Sequence, residues 1–243
     1  MPRNKSLVLF AKLLNTQANS RNNSQSPRRL RVLELLEDRS VPAVTYSPDG
    51  TGRFVVQFSE DVPGAADTLL LRVNTAGLLE QSFDGNAFTT DLNSSVAGVQ
   101  SLAATAISRI DVALGGGNDV LGVDGLTDPA VIPSPGGIVF TADGGTDRLD
   151  VSHDQNMTLT ASALTVAGRT ISFTNLETAR LTGGNGNSVL DASAFPGPVT
   201  LDGGTGKDTL IGGSADDVLL GVAGGDLMDG GAGNDQLFSG NAG

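Results

Sequence analysis

Four aspartates near the C-terminus, Asp208, Asp217, Asp226 and Asp235, follow one another at intervals of nine residues, each behind a glycine-rich stretch. Carboxylates repeated at a fixed period beside glycines offer hard oxygen donors. The side chain supplies charge, and glycine lets the backbone bend until its carbonyls converge on an ion. That is divalent-cation chemistry. Ca2+ takes about six to eight such oxygens in flexible geometry, whereas smaller Mg2+ demands a tighter octahedron and suits a pliant turn less well. Nothing comparable serves acid–base or nucleophilic work. His153, the one histidine, stands beside Asp154 with no second histidine or nucleophile, and reads as a solvated loop residue. Arg109, Arg148, Arg169 and Arg180 are expected on or beside strands, paired with the acidic surface as exposed charges usually are.

The aspartates sit in a repeat. Gly203–Ile211, Gly212–Leu220, Gly221–Asp229 and Gly230–Phe238 follow without a gap, each with its aspartate sixth and a large apolar residue eighth: Leu210, Leu219, Met228 and Leu237. The eighth residue faces the interior, as a short strand requires. Self-similarity at a fixed period marks a solenoid of stacked coils. Looser echoes at Gly115–Leu121, Gly144–Leu149 and Gly183–Leu190 read as coils of variable length. Their lone aspartates, Asp119 and Asp147, are expected merely to turn the chain, capping their own backbone amides as Asx-turns.

The pattern Gly-Gly-x-Gly-x-Asp-x-(large apolar)-x resembles the hemolysin-type RTX repeat, over 203–238 in strict register. The resemblance implies a β-roll in which two nonapeptides make one coil. Asp208 would then pair with Asp226 and Asp217 with Asp235, with Ca2+ between the stacked turns. The turn residues Gly203, Thr205, Gly212, Ser214, Gly221, Ala223, Gly230 and Ala232 would complete the shells. Three positions depart from the pattern: Ala215 replaces a fourth-position glycine, Val222 a second-position glycine, and Ser188 stands where the echo needs an aspartate. Val222 makes Asp208/Asp226 the weaker expected pair. The chain stops without the C-terminal export segment usual in that family, which argues against type I secretion. Leu36-Glu37-Asp38-Arg39-Ser40-Val41-Pro42-Ala43, after Arg28, Arg29 and Arg31, is similar to the LEPR-type leader of large bacterial surface proteins, which implies export to the envelope or exterior.

Composition agrees with thin stacked strands. Among 243 residues there are 33 glycines, nine phenylalanines, no tryptophan, one tyrosine and no cysteine, so a core built on large aromatics and long helices is not expected, and a disulfide framework and thiolate metal sites are excluded. The net charge of −12 conceals two halves, because residues 1–40 hold eight of the 15 basic groups and only three acidic ones. The acidic remainder repels phosphate backbones and concentrates cations, which excludes nucleic acid as its partner. No stretch is apolar over the roughly 18 residues that a membrane span needs, so no transmembrane segment is expected.

The expected fold class is all-β, a parallel β-helix or β-roll solenoid. Its segments are a disordered leader at 1–44, an irregular β-rich stretch at 45–106, degenerate coils at 107–202 and a calcium-binding β-roll at 203–243. The expected function is calcium binding that orders the solenoid of a non-enzymatic structural or surface protein; the alternatives are an adhesin or matrix component in which calcium is secondary and, less favoured for want of a carboxylate cluster outside the turns, a β-helix polysaccharide-active enzyme. The expected protein is extracellular or on the cell surface, with Ca2+ as cofactor and cell-envelope or matrix components, or further copies of itself, as partners.

Overall fold

A computed structural model describes residues 43–59, 64–92, 101–126 and 128–240. The leader motif up to Pro42, the basic cluster around Arg28 and the short helical candidate at 30–37 lie outside the described residues. In chain order the strands are β1 (Ala43–Pro48), β2 (Phe54–Ser59), β3 (Thr68–Val73), β4 (Leu79–Phe83), β5 (Ile107–Ala113), β6 (Val120–Asp124), β7 (Ile138–Thr141), β8 (Arg148–Ser152) and β9 (Met157–Thr160). There follow β10 (Ala163–Val166), β11 (Arg169–Thr174), β12 (Thr178–Thr182), β13 (Val189–Ala194), β14 (Val199–Asp202), β15 (Thr209–Ile211), β16 (Val218–Leu220), β17 (Leu227–Asp229) and β18 (Gln236–Phe238). Among the described residues there is no α-helix, only single 3-10 turns at Ala104–Ala106 and Pro129–Val131. The protein is all-β.

The strands form two sheets, ordered β1-β2-β5-β7-β11-β10-β9-β13-β15-β17 and β18-β16-β14-β12-β8-β6-β3-β4. From β5 onward the chain winds between them, and same-side strands of successive coils pair in parallel. This is a solenoid with two flat faces. Because side chains alternate along each strand, every coil sends its apolar set inward, and identical register stacks these into columns. Leu71, Val123, Val151, Leu181, Leu201 and Leu219 line up through one sheet, and Ile110, Ile138 and Ile171 through the other. All of them are buried.

Coil length varies upstream and becomes short and regular toward the C-terminus. Ile110 lies beside Ile138, 28 residues on, Leu190 beside Leu210, 20 on, and Leu210 beside Met228, 18 on. The last value is two nonapeptides, as the repeat implies. The sheets also extend N-terminally of residue 107, since β2 and β3 pair in parallel with β5 and β6. Ala43 and Val44, expected in the leader, begin β1 opposite Ser59 and Phe58.

Two features depart from the sequence-based expectations. A three-stranded antiparallel meander, β9-β10-β11, interrupts the otherwise parallel winding. Its second turn is a two-residue hairpin with Ala167 and Gly168 at φ 50° and 72°, the paired left-handed geometry that matches strand twist. His153 is the second correction: it is buried rather than solvated, 3% exposed, with both ring nitrogens unpartnered. Its N–H donates to Thr182 O (2.9 Å), which ties its backbone into the stack and carries the ring inside. Burial, with help from the Arg169 guanidinium, pushes its imidazole pKa down, so it stays neutral in the core.

Candidate metal centre

The turns that join the two sheets stack along two edges of the solenoid. On one edge lie the turns 183–188, 203–208 and 221–226, and on the other those at 212–217 and 230–235. Backbone hydrogen bonds lock neighbours together. Thr205 N–H donates to Gly184 O (3.0 Å), Gly206 N–H to Ala223 O (2.9 Å), Ala223 N–H to Gly204 O (3.2 Å) and Ala232 N–H to Gly213 O (3.0 Å). The sixth-position aspartates therefore meet two repeats apart, in the pairing the repeat implies. The N–H of Asp208 donates to Oδ1 of Asp226 (2.9 Å), and that of Asp217 to Oδ1 of Asp235 (3.0 Å). Each carboxylate thus spends one oxygen on the coil before it. Ser188 N–H donates likewise to Oδ1 of Asp208 (2.7 Å), and Val199 N–H to Oδ1 of Asp217 (2.8 Å).

The second oxygen separates the pairs. Oδ2 of Asp208 and Oδ2 of Asp226 are buried with no hydrogen-bond partner. Oδ2 of Asp217 accepts from Gly213 N–H within its own repeat (2.7 Å). A buried acceptor left unmatched costs about 1–3 kcal/mol, so the free oxygens of Asp208 and Asp226 are positions at which a cation is favoured.

The first-position glycines have a reason other than the expected backbone freedom. Gly203, Gly212, Gly221 and Gly230 do not adopt positive φ; instead a Cβ at Gly203 would meet Asp208 Oδ2 at 2.7 Å, and one at Gly221 would meet Asp226 Oδ2 at 2.5 Å. The missing side chain leaves room for the carboxylate. Positive φ belongs to the second and fourth positions, as at Gly204 (82°) and Gly206 (125°).

Val222 occupies a second position at φ 65°, where Ala223 N–H donates back to Gly221 O (2.9 Å) around it. A β-branched residue in this conformation is strained, and its side chain, 45% exposed, buries little in return. Val222→Gly is therefore expected to stabilise the protein by about 1 kcal/mol, seen as a raised denaturation midpoint at unchanged slope. A lowered midpoint would show that the valine is packed rather than strained.

Charge is crowded on both edges. Burial pushes the Asp208 carboxyl up from its ordinary value of 3.8, and the Asp226 and Asp154 carboxylates add to this. Burial, Asp235 and Asp216 do the same to Asp217, against the hydrogen bonds from Gly213 and Val199. A raised carboxyl pKa means that the folded form keeps a proton that the unfolded chain has released. Without metal, the contribution of these two groups to stability is then fully present below pH 3.8 and is lost as pH rises through the raised value. His153 acts oppositely, its contribution being lost as pH falls below 6.5. The aspartate effect is isolated by comparison with Asp208→Asn: in metal-free buffer the variant should gain on wild type only as pH rises above about 4. A constant difference across pH would contradict the assignment.

The upstream aspartates do not cap their own turns as expected. Asp67 N–H donates to Oδ1 of Asp119 (2.8 Å), Asp119 N–H to Oδ1 of Asp147 (2.8 Å), and Asp147 N–H to Oε2 of Glu177 (2.8 Å). They tie coil to coil, as the repeat aspartates do. Asp154, to which the sequence does not point, reaches 32 residues along the chain to accept from Gly186 N–H (2.9 Å). The arginines behave largely as expected: Arg109 pairs with Asp111 (2.7 Å), Arg148 with Asp150 (2.7 Å) and Arg180 with Asp202 (3.6 Å), while Arg169 donates to Ile132 O.

Among the described residues no three carboxylate or imidazole groups converge as a metal cluster, and an aspartate pair alone would not complete a Ca2+ shell of about six to eight oxygens. No described helix is long and apolar enough to cross a membrane. No curated protein and no solved structure gives a significant match. Residues 202–237 do match a family, the RTX calcium-binding nonapeptide repeat, in four copies. Such repeats bind Ca2+, and the coils at 202–237 carry the hemolysin-type repeat pattern.

Proposed function

We propose that this chain is an exported structural or surface protein whose solenoid is ordered by Ca2+ held between stacked turns, and that it is not an enzyme. The observation that carries the reading is the pair of buried, unpartnered oxygens on Asp208 and Asp226, one coil apart. We place the first ion there, with carbonyl oxygens of the turns containing Gly203, Thr205, Gly221 and Ala223. A second belongs to Asp217 and Asp235, with the turns containing Gly212, Ser214, Gly230 and Ala232. This reverses the order expected from Val222, because Gly213 already occupies Asp217 Oδ2. Like charges face each other along both edges, so metal-free coils repel and cation binding favours the ordered form. Extracellular calcium, near millimolar, fills even weak sites of this kind, which fits folding after export.

Calorimetric titration of the full chain with Ca2+, against Mg2+, tests the reading. Saturable binding of Ca2+ in preference to Mg2+ supports it, and no heat with either ion removes it. A second reading, an adhesin or matrix component that associates with envelope material or with itself, is favoured by one feature. On the last described coil Leu227 is 65% exposed, Phe238 52% and Leu237 45%. Concentration-dependent assembly in calcium, measured by sedimentation velocity, would support it, and a strictly monomeric calcium form would count against it.

A further inference from the structure

We infer that the solenoid carries an acid-sensitive joint at His153, where protonation of the buried ring opens the stack just upstream of the repeats. Asp124 lies opposite Ser152, and Ser152 opposite Thr182, so the residues that follow them, Gly125, His153 and Gly183, occupy one level of three successive coils. Backbone hydrogen bonds hold this level together. Gly125 N–H donates to Ser152 O (2.8 Å) and His153 N–H to Thr182 O (2.9 Å). Glycine beneath the ring gives it room, since a Cβ at Gly125 would meet its Cδ2 at 2.5 Å.

The ring sits where a charge finds no partner. His153 is 3% exposed, and neither Nδ1 nor Nε2 has a hydrogen-bond partner. Protonation would turn both nitrogens into donors and add a charge, with no acceptor in reach of either. The neighbouring charges do not answer this. Arg169, on β11, opposes a second positive charge; Asp154, next in the chain, favours it, but its Oδ1 accepts from Gly186 N–H (2.9 Å) rather than from the ring. The coils before and after bring only Gly125 and Gly183 to this level. Burial and Arg169 therefore outweigh Asp154, and the imidazole pKa lies below its ordinary 6.5.

Opening the joint would hand the ring to water, where it takes up a proton that the closed form refuses. The closed joint is then fully stable above pH 6.5 and loses ground as pH falls below it, by about tenfold in the opening equilibrium per pH unit until the lowered value is reached. Its position gives the opening a consequence. The turn that follows Thr182 is tied upstream by Gly186 N–H to Asp154 and downstream by Thr205 N–H, which donates to Gly184 O (3.0 Å). Parting the coils at His153 releases the upstream tie and loosens the turn on which the first repeat stacks. Since each coil contacts only its neighbours, the opening stays local.

The test is amide exchange of the full chain by NMR from about pH 7.5 to about pH 5, corrected for intrinsic rates, in wild type, His153→Gln and His153→Leu. The chain has one histidine, so its imidazole signal can be titrated in the same samples without ambiguity. In wild type the imidazole is expected to titrate below 6.5 and protection at Gly125 and Gly183 to fall at least about tenfold, with Leu71 unchanged. Both variants keep every aspartate, so the difference isolates the ring, and they should hold their protection across the range. An imidazole that titrates at its ordinary value with protection unmoved would overturn the joint. So would variants that lose protection as wild type does, since the acid response would then belong to carboxylates. Should neither variant fold by circular dichroism, wild type decides: loss of protection centred on Gly125 and Gly183 is expected, and a uniform loss or none overturns the inference.

Discussion

Replacing Asp208 and Asp226 together by asparagine is expected to shift stability in opposite directions with and without calcium. Asparagine keeps an Oδ1 able to accept from Ser188 and from residue 208, so the coil-to-coil hydrogen bonds at 2.7 and 2.9 Å survive. What disappears is charge. In metal-free buffer the variant should be the more stable protein, since the Asp208 carboxyl, pushed toward protonation by its burial and by the Asp226 charge, has been neutralised together with that charge. In calcium it should be the less stable by about 3 kcal/mol, the stabilisation that one ion supplies when present at about a hundred times its dissociation constant. Urea titrations in chelator and in millimolar calcium measure both arms. Equal destabilisation in both would mean that the aspartates only tie coils together.

The second large effect concerns coil spacing. Gly224 has φ 143°, and a Cβ there would fall inside the carbonyl of Gly206 on the preceding coil. Gly224→Ala must therefore either move the coils apart or break the turn. The expected cost is about 3 kcal/mol from backbone strain and lost stacking together. Gly225 is the internal control, because it has nothing within 4 Å of its Cβ position and no positive φ; Gly225→Ala should change little. Since each coil of a solenoid contacts only its neighbours, the damage from Gly224→Ala should be local. Amide exchange should accelerate at Gly206, Ala223 and Leu227 and stay slow around Leu149. Equal effects of the two alanines would contradict the close carbonyl approach.

The C-terminal coils were legible because their geometry leaves no slack. A coil of 18 residues with two turns forces every ninth residue into an equivalent place, and the phased aspartates and Leu210, Leu219, Met228 and Leu237 follow. Upstream, coils of 28 residues or more contain insertions, so equivalence is set by pairing in space rather than by spacing. Leu121 and Leu149 stack directly and each closes a glycine-rich echo, but 28 residues apart rather than 18. His153 reads as a solvated residue for the same reason: its polar neighbours mark a turn, but only the coil position turns its ring inward. The aspartate ladder through Asp119 and Asp147 looked like isolated turn chemistry because its hydrogen bonds span whole coils. The first-position glycines showed their type but not their cause, which is a carboxylate five residues later in the same turn.

The central claim, that calcium orders this solenoid through the phased aspartates, is tested most directly by far-UV circular dichroism of the full chain during calcium titration, with magnesium as control and Asp208→Asn/Asp226→Asn and Asp217→Asn/Asp235→Asn in parallel. A gain of β signal specific to calcium, diminished in each double variant, is the expected result. A β spectrum that is already complete without calcium and unmoved by it in all three proteins would contradict the account, leaving the aspartates as ties between coils that stand without metal.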